Sequence, residues 1–283
     1  MNDQTILTFY GQKPGKTIAI FAGVHGNEIG GILALRQLIT ELESEAFQLK
    51  AGKLHLVFAN LQAIARGTRF VDMNMNRAFY TTPDDPLEAM DLPYERDRAL
   101  VLQEFLDDSD ALLDLHSTDH ESSPFIICET HSFEVAKKLP FRIVSTGWDA
   151  VHAGSTDAYM NMQGKVGVCV ECGKHDDDDA KRQARQSIEI FLTHFGLIER
   201  DNLPAPVDQR RIHAREIYKA KEIFRLTPEC TDLPEFARLK AGTIIGHDGE
   251  EPVIVEQDSI LIFPKDGAAN GAEAFVLGDE SPL

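Results

Sequence analysis

Over its first two thirds, the sequence alternates short apolar runs with longer amphipathic segments. The run Thr17 to Ala22 is β-branched, strand-sized and followed by Gly23, which predicts a buried strand. Ile29 to Phe47 then places its apolar residues on one helical stripe. Further strands are predicted at Lys53 to Ala59, Ala111 to Leu115, Pro124 to Cys128, Phe141 to Val144 and Val166 to Val170, and further helices at Glu95 to Leu106 and Ala180 to Phe195. Strands separated by helices indicate an α/β fold with a mixed sheet flanked by helices.

The pattern changes at the polar, proline-containing stretch Asn202 to Pro206. Beyond it, helical periodicity gives way to short β-type runs that are separated by Gly and Asp turns. We therefore expect an α/β domain over residues 1–200 and a smaller all-β C-terminal domain over residues 201–283. The smaller domain is expected to cover one side of a cleft or to mediate self-association. The second role would make the protein a homo-oligomer. Arg215 and Tyr218 are its candidates for contact with a substrate.

Charge and composition exclude several kinds of partner. The chain has 28 Lys and Arg against 46 Asp and Glu, a net charge of −18, so its long-range field repels nucleic acid and anionic membrane surfaces. No apolar run approaches the ~20 residues of a membrane span. The N-terminus shows no signal-peptide pattern and the four cysteines suggest no disulfide framework, so we expect a cytoplasmic protein.

Two polar clusters that follow predicted strands have the composition of a metal site. In open α/β sheets, ligands bind outside the carboxyl ends of the strands. His25 and Glu28 follow the first strand, and His116 ends a later one, with Asp114 as a candidate to orient it. Two histidines and one carboxylate with an open fourth position are a ligand set of catalytic zinc. From the residues alone, two other roles stay open: Glu28 as a charge at a helix N-terminus, and the histidines as ordinary turn or core residues.

Two further clusters are suited to a substrate and to proton transfer. Arg69 and Arg77, with the amides Asn74 and Asn76 between them, are typical of a carboxylate-binding wall, and a surface loop with ordinary ion pairs is the alternative. Glu171 ends a nearly apolar strand, where desolvation would raise its pKa toward that of a general base. An unpaired carboxylate in such a place is expected to face a site or a cation.

The four clusters occur in an order that resembles one known family. They read His25-Gly26-Asn27-Glu28, then R-x-x-D-x-N-x-N-R from Arg69 to Arg77, then Asp114-Leu115-His116, then Val170-Glu171-Cys172-Gly173. This combination, over roughly residues 17–196, resembles the succinylglutamate desuccinylase/aspartoacylase family of the zinc-carboxypeptidase-like superfamily. The resemblance implies a zinc-carboxypeptidase-like catalytic domain over residues 1–200 and Zn²⁺ as cofactor.

The resemblance also implies a role for each motif residue and a reaction. Zn²⁺ would be bound by His25, Glu28 and His116, Glu171 would be the general base, Arg69 would polarise the scissile carbonyl, and Asn76 and Arg77 would hold a substrate carboxylate. The implied activity is hydrolysis of the amide bond of a small N-acyl amino acid by activated water.

The sequence departs from the aspartoacylase branch at one point, and alternatives to the leading hypothesis remain. That branch grips the acyl-side carboxylate with a further arginine, whereas this chain has no arginine between Arg142 and Glu171, only Lys165. A short acyl group, or a different amino-acid amide, is therefore at least as well supported as a dicarboxylic one. A metallocarboxypeptidase that acts on short peptides and a non-catalytic metal- or ligand-binding module are the alternative functions.

Overall fold

The computed structural model describes residues 5–79, 92–119, 122–175 and 178–282. The chain forms two compact units, each assembled from two segments. The first unit consists of Met1–Arg142 and His152–Asp208, and the second of Ile143–Val151 and Gln209–Leu283. A short segment that precedes the polar linker therefore belongs to the second unit.

Strands and helices alternate through the first unit, and strands dominate the second. The strands are β1 Ile6–Tyr10, β2 Thr17–Ala22, β3 Lys53–Phe58, β4 Ala111–Thr118, β5 Phe125–Cys128, β6 Ile143–Thr146, β7 Val166–Lys174, β8 Arg210–Lys219, β9 Phe224–Leu226, β10 Ala237–Leu239, β11 Ile244–Asp248, β12 Glu251–Ile254, β13 Ser259–Ile262 and β14 Glu273–Pro282. The α-helices are α1 Ile29–Glu43, α2 Leu61–Arg66, α3 Tyr94–Asp108, α4 Phe133–Ala136, α5 Trp148–Val151, α6 Thr156–Met162, α7 Asp178–His194 and α8 Pro228–Thr231.

The first unit contains a mixed sheet, which confirms the predicted fold class. Its strand order is β1-β3-β2-β4-β7-β5. The four strands β3, β2, β4 and β7 are parallel, while the flanking β1 and β5 are antiparallel to their neighbours. All eight residues of β4 are buried. Because β2, β4 and β7 run in the same direction, their carboxyl ends meet at one edge of the sheet.

Helices cover both faces of this sheet. On one face, Ala19 and Phe21 of β2 pack in a core cluster with Leu112 of β4 and with residues of α3 and α6. On the other face, α1 approaches Ala22 and Leu115 closely. Side chains alternate along a strand, so Asp114 and His116 lie on the same face of β4 as Leu112.

The predicted helix from Ile29 to Phe47 is wrong at its C-terminal end, because α1 ends at Glu43. The hydroxyl and the backbone N–H of Ser44 both donate to the carbonyl of Thr40, at 2.7 and 3.1 Å, and the next N–H, that of Glu45, donates to Leu42 instead of continuing the helical pattern. Glu45 then adopts φ +59°, in the left-handed region. The chain reverses so that Phe47 is buried and packs beneath the guanidinium groups of Arg185 and Arg200.

The second unit is β-rich, as the sequence predicts, and it includes two one-turn helices, α5 and α8. Its larger sheet has the order β6-β8-β14-β13-β10, and its smaller antiparallel sheet the order β12-β11-β9. Phe224, Phe275 and Leu261 lie in its core cluster. The strand β6 pairs in parallel with β8, which explains why Ile143–Val151 joins this unit. In neither unit does a described helix have the length and apolar character that crossing a bilayer requires.

Candidate active site

A sharp turn after β2 carries the first two candidate ligands. Gly23 begins it at φ +71°, a left-handed conformation that glycine adopts without steric cost. Gly26 lies so close to α2 that an added Cβ would stand 2.1 Å from the carbonyl carbon of Ala63. The turn brings Nδ1 of His25 to 2.6 Å from Oε1 of Glu28. Both of these side chains are buried.

The third candidate ligand, His116, comes from β4, the parallel neighbour of β2. Its Nδ1 lies 3.0 Å from Oε2 of Glu28. The imidazole rings of His25 and His116 have centroids 5.1 Å apart. One ring nitrogen of each histidine and one oxygen of Glu28 all lie within 4.8 Å of one another. The structure therefore brings the three candidates close enough to share one ion.

The far nitrogen of each imidazole meets an oxygen acceptor. Nε2 of His116 is 3.0 Å from Oδ2 of Asp114. Nε2 of His25 is 2.9 Å from Oδ1 of Asn74, and the same oxygen accepts a hydrogen bond from the backbone N–H of Asn76. Because both partners are acceptors, each Nε2 must carry the donated proton. Both Nδ1 atoms then face Glu28.

This arrangement fits a divalent cation. With the proton on Nε2, a neutral imidazole presents a lone pair at Nδ1, and here each Nδ1 lies beside an oxygen of Glu28. Burial would raise the pKa of Glu28, but positive charge on the two imidazoles outweighs it and holds this pKa well below its ordinary value, so the carboxylate is ionised. In turn, burial would lower the pKa of His116, but the carboxylates of Asp114 and Glu28 raise it well above its ordinary value, so without a metal ion a proton on Nδ1 supplies the positive charge. A divalent cation at this place would replace this proton and supply the same positive charge between the buried nitrogens and the carboxylate. Two imidazole nitrogens and a carboxylate are a known ligand set for zinc.

Asp114 connects His116 to the start of α6. Its Oδ2 also accepts a hydrogen bond from the Thr156 hydroxyl, while its Oδ1 is buried and has no partner among the described residues. A carboxylate behind a metal-binding imidazole fixes the ring orientation and increases the basicity of the ligand nitrogen. The geometry thus gives Asp114 the orienting position that the sequence proposed for it.

Glu171 lies beside His116 in the sheet, since the two residues are direct partners in the parallel register of β4 and β7. Its Oε2 is buried and makes no hydrogen bond within the described residues. Burial raises the pKa of Glu171 to about 7, with His116 opposing the rise and Glu28 adding to it. A carboxyl group with this pKa can take up and return a proton near neutral pH.

Residues 69–77, which we call the 69–77 loop, carry the remaining candidates. Nη1 of Arg69 is 3.4 Å from Oε1 of Glu28, and the Arg69 side chain is 48% exposed. Its backbone oxygen accepts a hydrogen bond of 3.3 Å from the N–H of Gly26. The guanidinium group therefore lies between the buried His-Glu-His cluster and the surface.

Asn76 and Arg77 follow in one turn of 3-10 helix, Met75–Arg77. Oδ1 of Asn76 is buried, and within the described part of the chain it lacks a hydrogen-bond partner. Nη1 of Arg77 donates to the backbone oxygen of Asn76 at 2.9 Å. Because Asn74 contacts both His25 and the Asn76 N–H, this turn is joined directly to the candidate metal site.

The two candidates from the C-terminal region have contacts inside the second unit. The Tyr218 hydroxyl donates to Oδ2 of Asp248 at 2.8 Å. Arg215 pairs with Asp279 and donates to Ser259.

Sequence reasoning missed the residues that hold the candidates in place. It predicts Asn74 only as an amide of a carboxylate-binding wall. In the structure, the side-chain oxygen of Asn74 contacts Nε2 of His25. Thr156 lies 42 residues from Asp114, and no local pattern connects the two. Glu95, which binds the backbone of the 69–77 loop, is indistinguishable in sequence from any acidic residue in a first helical turn.

Comparison with known proteins places this site in a family. The family model described as the succinylglutamate desuccinylase/aspartoacylase catalytic domain matches residues 14–194. The chain belongs to the succinylglutamate desuccinylase/aspartoacylase family. This match confirms the resemblance, and its range includes the seven residues to which the resemblance assigns a role.

Relatives of this family match the chain over different lengths. A succinylglutamate desuccinylase of Pseudoalteromonas atlantica is 26% identical over 93% of this chain and 81% of its own length. An N-α-acetyl-L-2,4-diaminobutyric acid deacetylase of Halomonas elongata is 29% identical over 65% of this chain and 56% of its own. The crystal structure of succinylglutamate desuccinylase from Vibrio cholerae is 18% identical, covers 98% of this chain and 85% of that one, and has a TM-score of 0.79, so it shares the fold.

Proposed function

We propose that this protein is a zinc-dependent amidohydrolase that removes the acyl group from a small N-acyl amino acid or a related amide. The observation that carries the proposal is the buried cluster of His25, Glu28 and His116 next to the unpartnered carboxyl oxygen of Glu171. The names of the relatives support the same class, since they denote a desuccinylase, a deacetylase and an aspartoacylase. The catalytic domain would comprise residues 1–200, and residues 201–283 would form a smaller, β-rich C-terminal domain.

Zinc would be held by His25, Glu28 and His116. When bound to such a set, it lowers the pKa of a water molecule to about 7 and acts as a Lewis acid. The chain itself contributes the orientation of the ligands. Asn74 and Asp114 keep protons on the far imidazole nitrogens, which leaves the near nitrogens available.

The remaining site residues would act on protons and on the substrate. Glu171 would take the proton from the attacking water and return it to the leaving amine, a task suited to its raised pKa of about 7. Arg69, which is half exposed beside Glu28, would stabilise the negative charge that develops on the carbonyl oxygen. Asn76 and Arg77 would bind the carboxylate of the amino-acid part, since an arginine fork pairs well with a carboxylate.

The acyl side of the substrate would be short and uncharged. The segment between Arg142 and Glu171 offers Lys165 as its cation, and Lys165 Nζ already donates to the backbone oxygens of Leu106 and Asp107, at 3.2 and 2.7 Å. These carbonyls lie at the C-terminal end of α3, where a lysine is favourably placed by the helix dipole. Lys165 therefore does not serve as a substitute for the arginine that the aspartoacylase branch uses.

A hydrolysis screen tests the proposed activity and the acyl preference together. We expect the purified protein with added zinc to hydrolyse N-acetyl and N-formyl amino acids at least about tenfold more efficiently than N-succinyl ones, because burying an unpaired carboxylate is costly. Release of the free amino acid measures kcat/KM for each series. Dipeptides form the control series, and faster hydrolysis of dipeptides would indicate a carboxypeptidase instead.

Replacement of Asp114 by asparagine should weaken zinc binding. We expect the affinity to fall about 10- to 100-fold, because the amide no longer draws the proton of His116 Nε2 as a carboxylate does. Competition with a chromophoric chelator measures the dissociation constant without any assay of activity.

Asp110→Asn is the matched control for this measurement. Asp110 precedes the other end of β4, where its carboxylate accepts hydrogen bonds from Lys16 and the backbone of Thr17. Equal zinc affinities in the two variants would exclude an orienting role for Asp114.

A further inference from the structure

A buried carboxylate outside the candidate catalytic set binds the backbone of the 69–77 loop. Glu95 lies in the first turn of α3 and is fully buried. Its Oε1 accepts a hydrogen bond from the N–H of Val71 at 2.6 Å. Its Oε2 accepts from the N–H groups of Asp72 and Met73 at 3.0 and 3.1 Å. One side chain thus satisfies three consecutive backbone donors of the loop.

The loop returns a bond to the same helix. Oδ2 of Asp72 accepts from the backbone N–H of Tyr94 at 2.8 Å. This N–H is one of the first-turn donors of α3 that have no partner within the helix. Loop and helix are therefore joined in both directions, by Glu95 to the loop backbone and by Asp72 to the helix backbone.

Asn60 extends this connection to the sheet. Its Nδ2 donates to Oε1 of Glu95 at 3.0 Å, and its Oδ1 caps α2 by accepting from the N–H of Ala63. The backbone N–H of Asn60 donates to the carbonyl of Gly23 at 2.9 Å. The same carboxylate is thus connected to the turn that leads into His25.

Glu95 performs this role as an anion. Burial alone would raise its pKa, but the hydrogen bonds from Val71, Asn60, Met73 and Asp72 outweigh burial and lower the pKa below its ordinary value. Hydrogen bonds to an ionised acceptor are stronger than those between neutral groups. Backbone donors and a helix N-terminus therefore stabilise a charge that burial would otherwise disfavour.

Residues 71–73, whose backbone N–H groups bind Glu95, lie between the two parts of the loop that face the site. Arg69 precedes them and lies against Glu28, while Asn74, Asn76 and Arg77 follow them. We propose that Glu95 is a positioning residue that fixes the 69–77 loop, and through it the groups that recognise the substrate carboxylate. The role in substrate recognition rests on the proposed function, whereas the role of Glu95 in holding the loop backbone does not.

The test compares Glu95→Gln with Asp97→Asn, a control in the same helical turn whose side chain is exposed. Glutamine keeps the shape of glutamate but presents one NH₂ group toward donors, so it cannot accept all of the bonds. We expect amide hydrogen exchange to accelerate at residues 71–77 and to stay unchanged in the second half of α3. The control should match the unsubstituted protein at both places.

Kinetics supply a readout that general destabilisation would not change. For an N-acyl amino acid we expect the KM of Glu95→Gln to rise about tenfold or more, the scale of a lost charged hydrogen bond. For the matching α-carboxamide, which lacks the carboxylate, KM should change little. The preference for acid over amide should therefore shrink in Glu95→Gln and persist in the control.

Two results would overturn the proposal: wild-type exchange rates at residues 71–77 in Glu95→Gln, or an undiminished preference for the acid. If the unsubstituted protein hydrolyses no N-acyl amino acid, the proposed function fails. The exchange rates at residues 71–77 still decide whether Glu95 holds the loop. If Glu95→Gln does not fold, Asp72→Ala tests the reciprocal bond from an exposed position and should loosen the same residues.

Discussion

Glu171→Gln is expected to slow amide hydrolysis by about 10²- to 10⁴-fold while leaving zinc bound, because glutamine keeps the size of glutamate but cannot accept the proton from water. The raised pKa of about 7 in Glu171 indicates a group suited to that transfer. Steady-state rates with the best substrate from the acyl screen measure the loss in kcat. Metal analysis of the same samples measures zinc per chain.

Glu104→Gln is the control for this comparison, since Glu104 is an exposed glutamate on α3 outside the candidate site. Its rate should equal that of the unsubstituted protein. A Glu171→Gln rate within about twofold of the control would exclude proton transfer by Glu171, given the size of general-base effects. A non-catalytic binding module would instead show no hydrolysis in the unsubstituted protein or in either variant.

His116→Ala is expected to abolish stable zinc binding. The unsubstituted protein should retain about one zinc per chain after dialysis, whereas the variant would lack one of the three proposed ligands and should retain almost none. Its hydrolytic activity should disappear together with the metal. Elemental analysis after dialysis measures the stoichiometry.

Thermal unfolding supplies a second readout for the same variant. Zinc that binds the folded state raises its stability by about 2.7 kcal/mol at a free concentration 100 times the dissociation constant. We expect added zinc to raise the Tm of the unsubstituted protein and of His247→Ala, whose exposed histidine lies on β11 in the second unit. Zinc retention and an unchanged zinc-dependent shift in His116→Ala would contradict the proposed ligand set.

The central strands could be predicted from the sequence because their residues are apolar on both faces. Ile18 to Ala22 of β2 are all buried, and such a run has few alternatives to a strand inside a sheet. The edge strand β1, Ile6–Tyr10, escaped prediction because it is only partly buried and ends with an exposed tyrosine. Its conformation depends on antiparallel pairing with β3, a contact that the local sequence does not reveal.

The candidate site could be predicted in its parts but not in its connections. The order of the motifs, through the family resemblance, predicts His25, His116 and Glu171 as site residues, whereas the residue types alone leave structural roles open. His116 and Glu171 are partners in the parallel register of β4 and β7. This register is fixed by the packing of the whole sheet and not by the local sequence. The contacts of Asn74 with His25 and of Glu95 with the loop join distant parts of the chain, so periodicity cannot indicate them.

The position of Asn74 has a consequence for engineering this scaffold. The short segment that carries the candidate substrate-binding residues Asn76 and Arg77 also carries Asn74, whose Oδ1 is the acceptor behind the His25 imidazole. Replacing this segment with one from a relative to change selectivity would therefore also disturb the candidate metal site. A successful transplant must keep an acceptor at that place, and libraries that diversify the neighbouring positions should hold it constant.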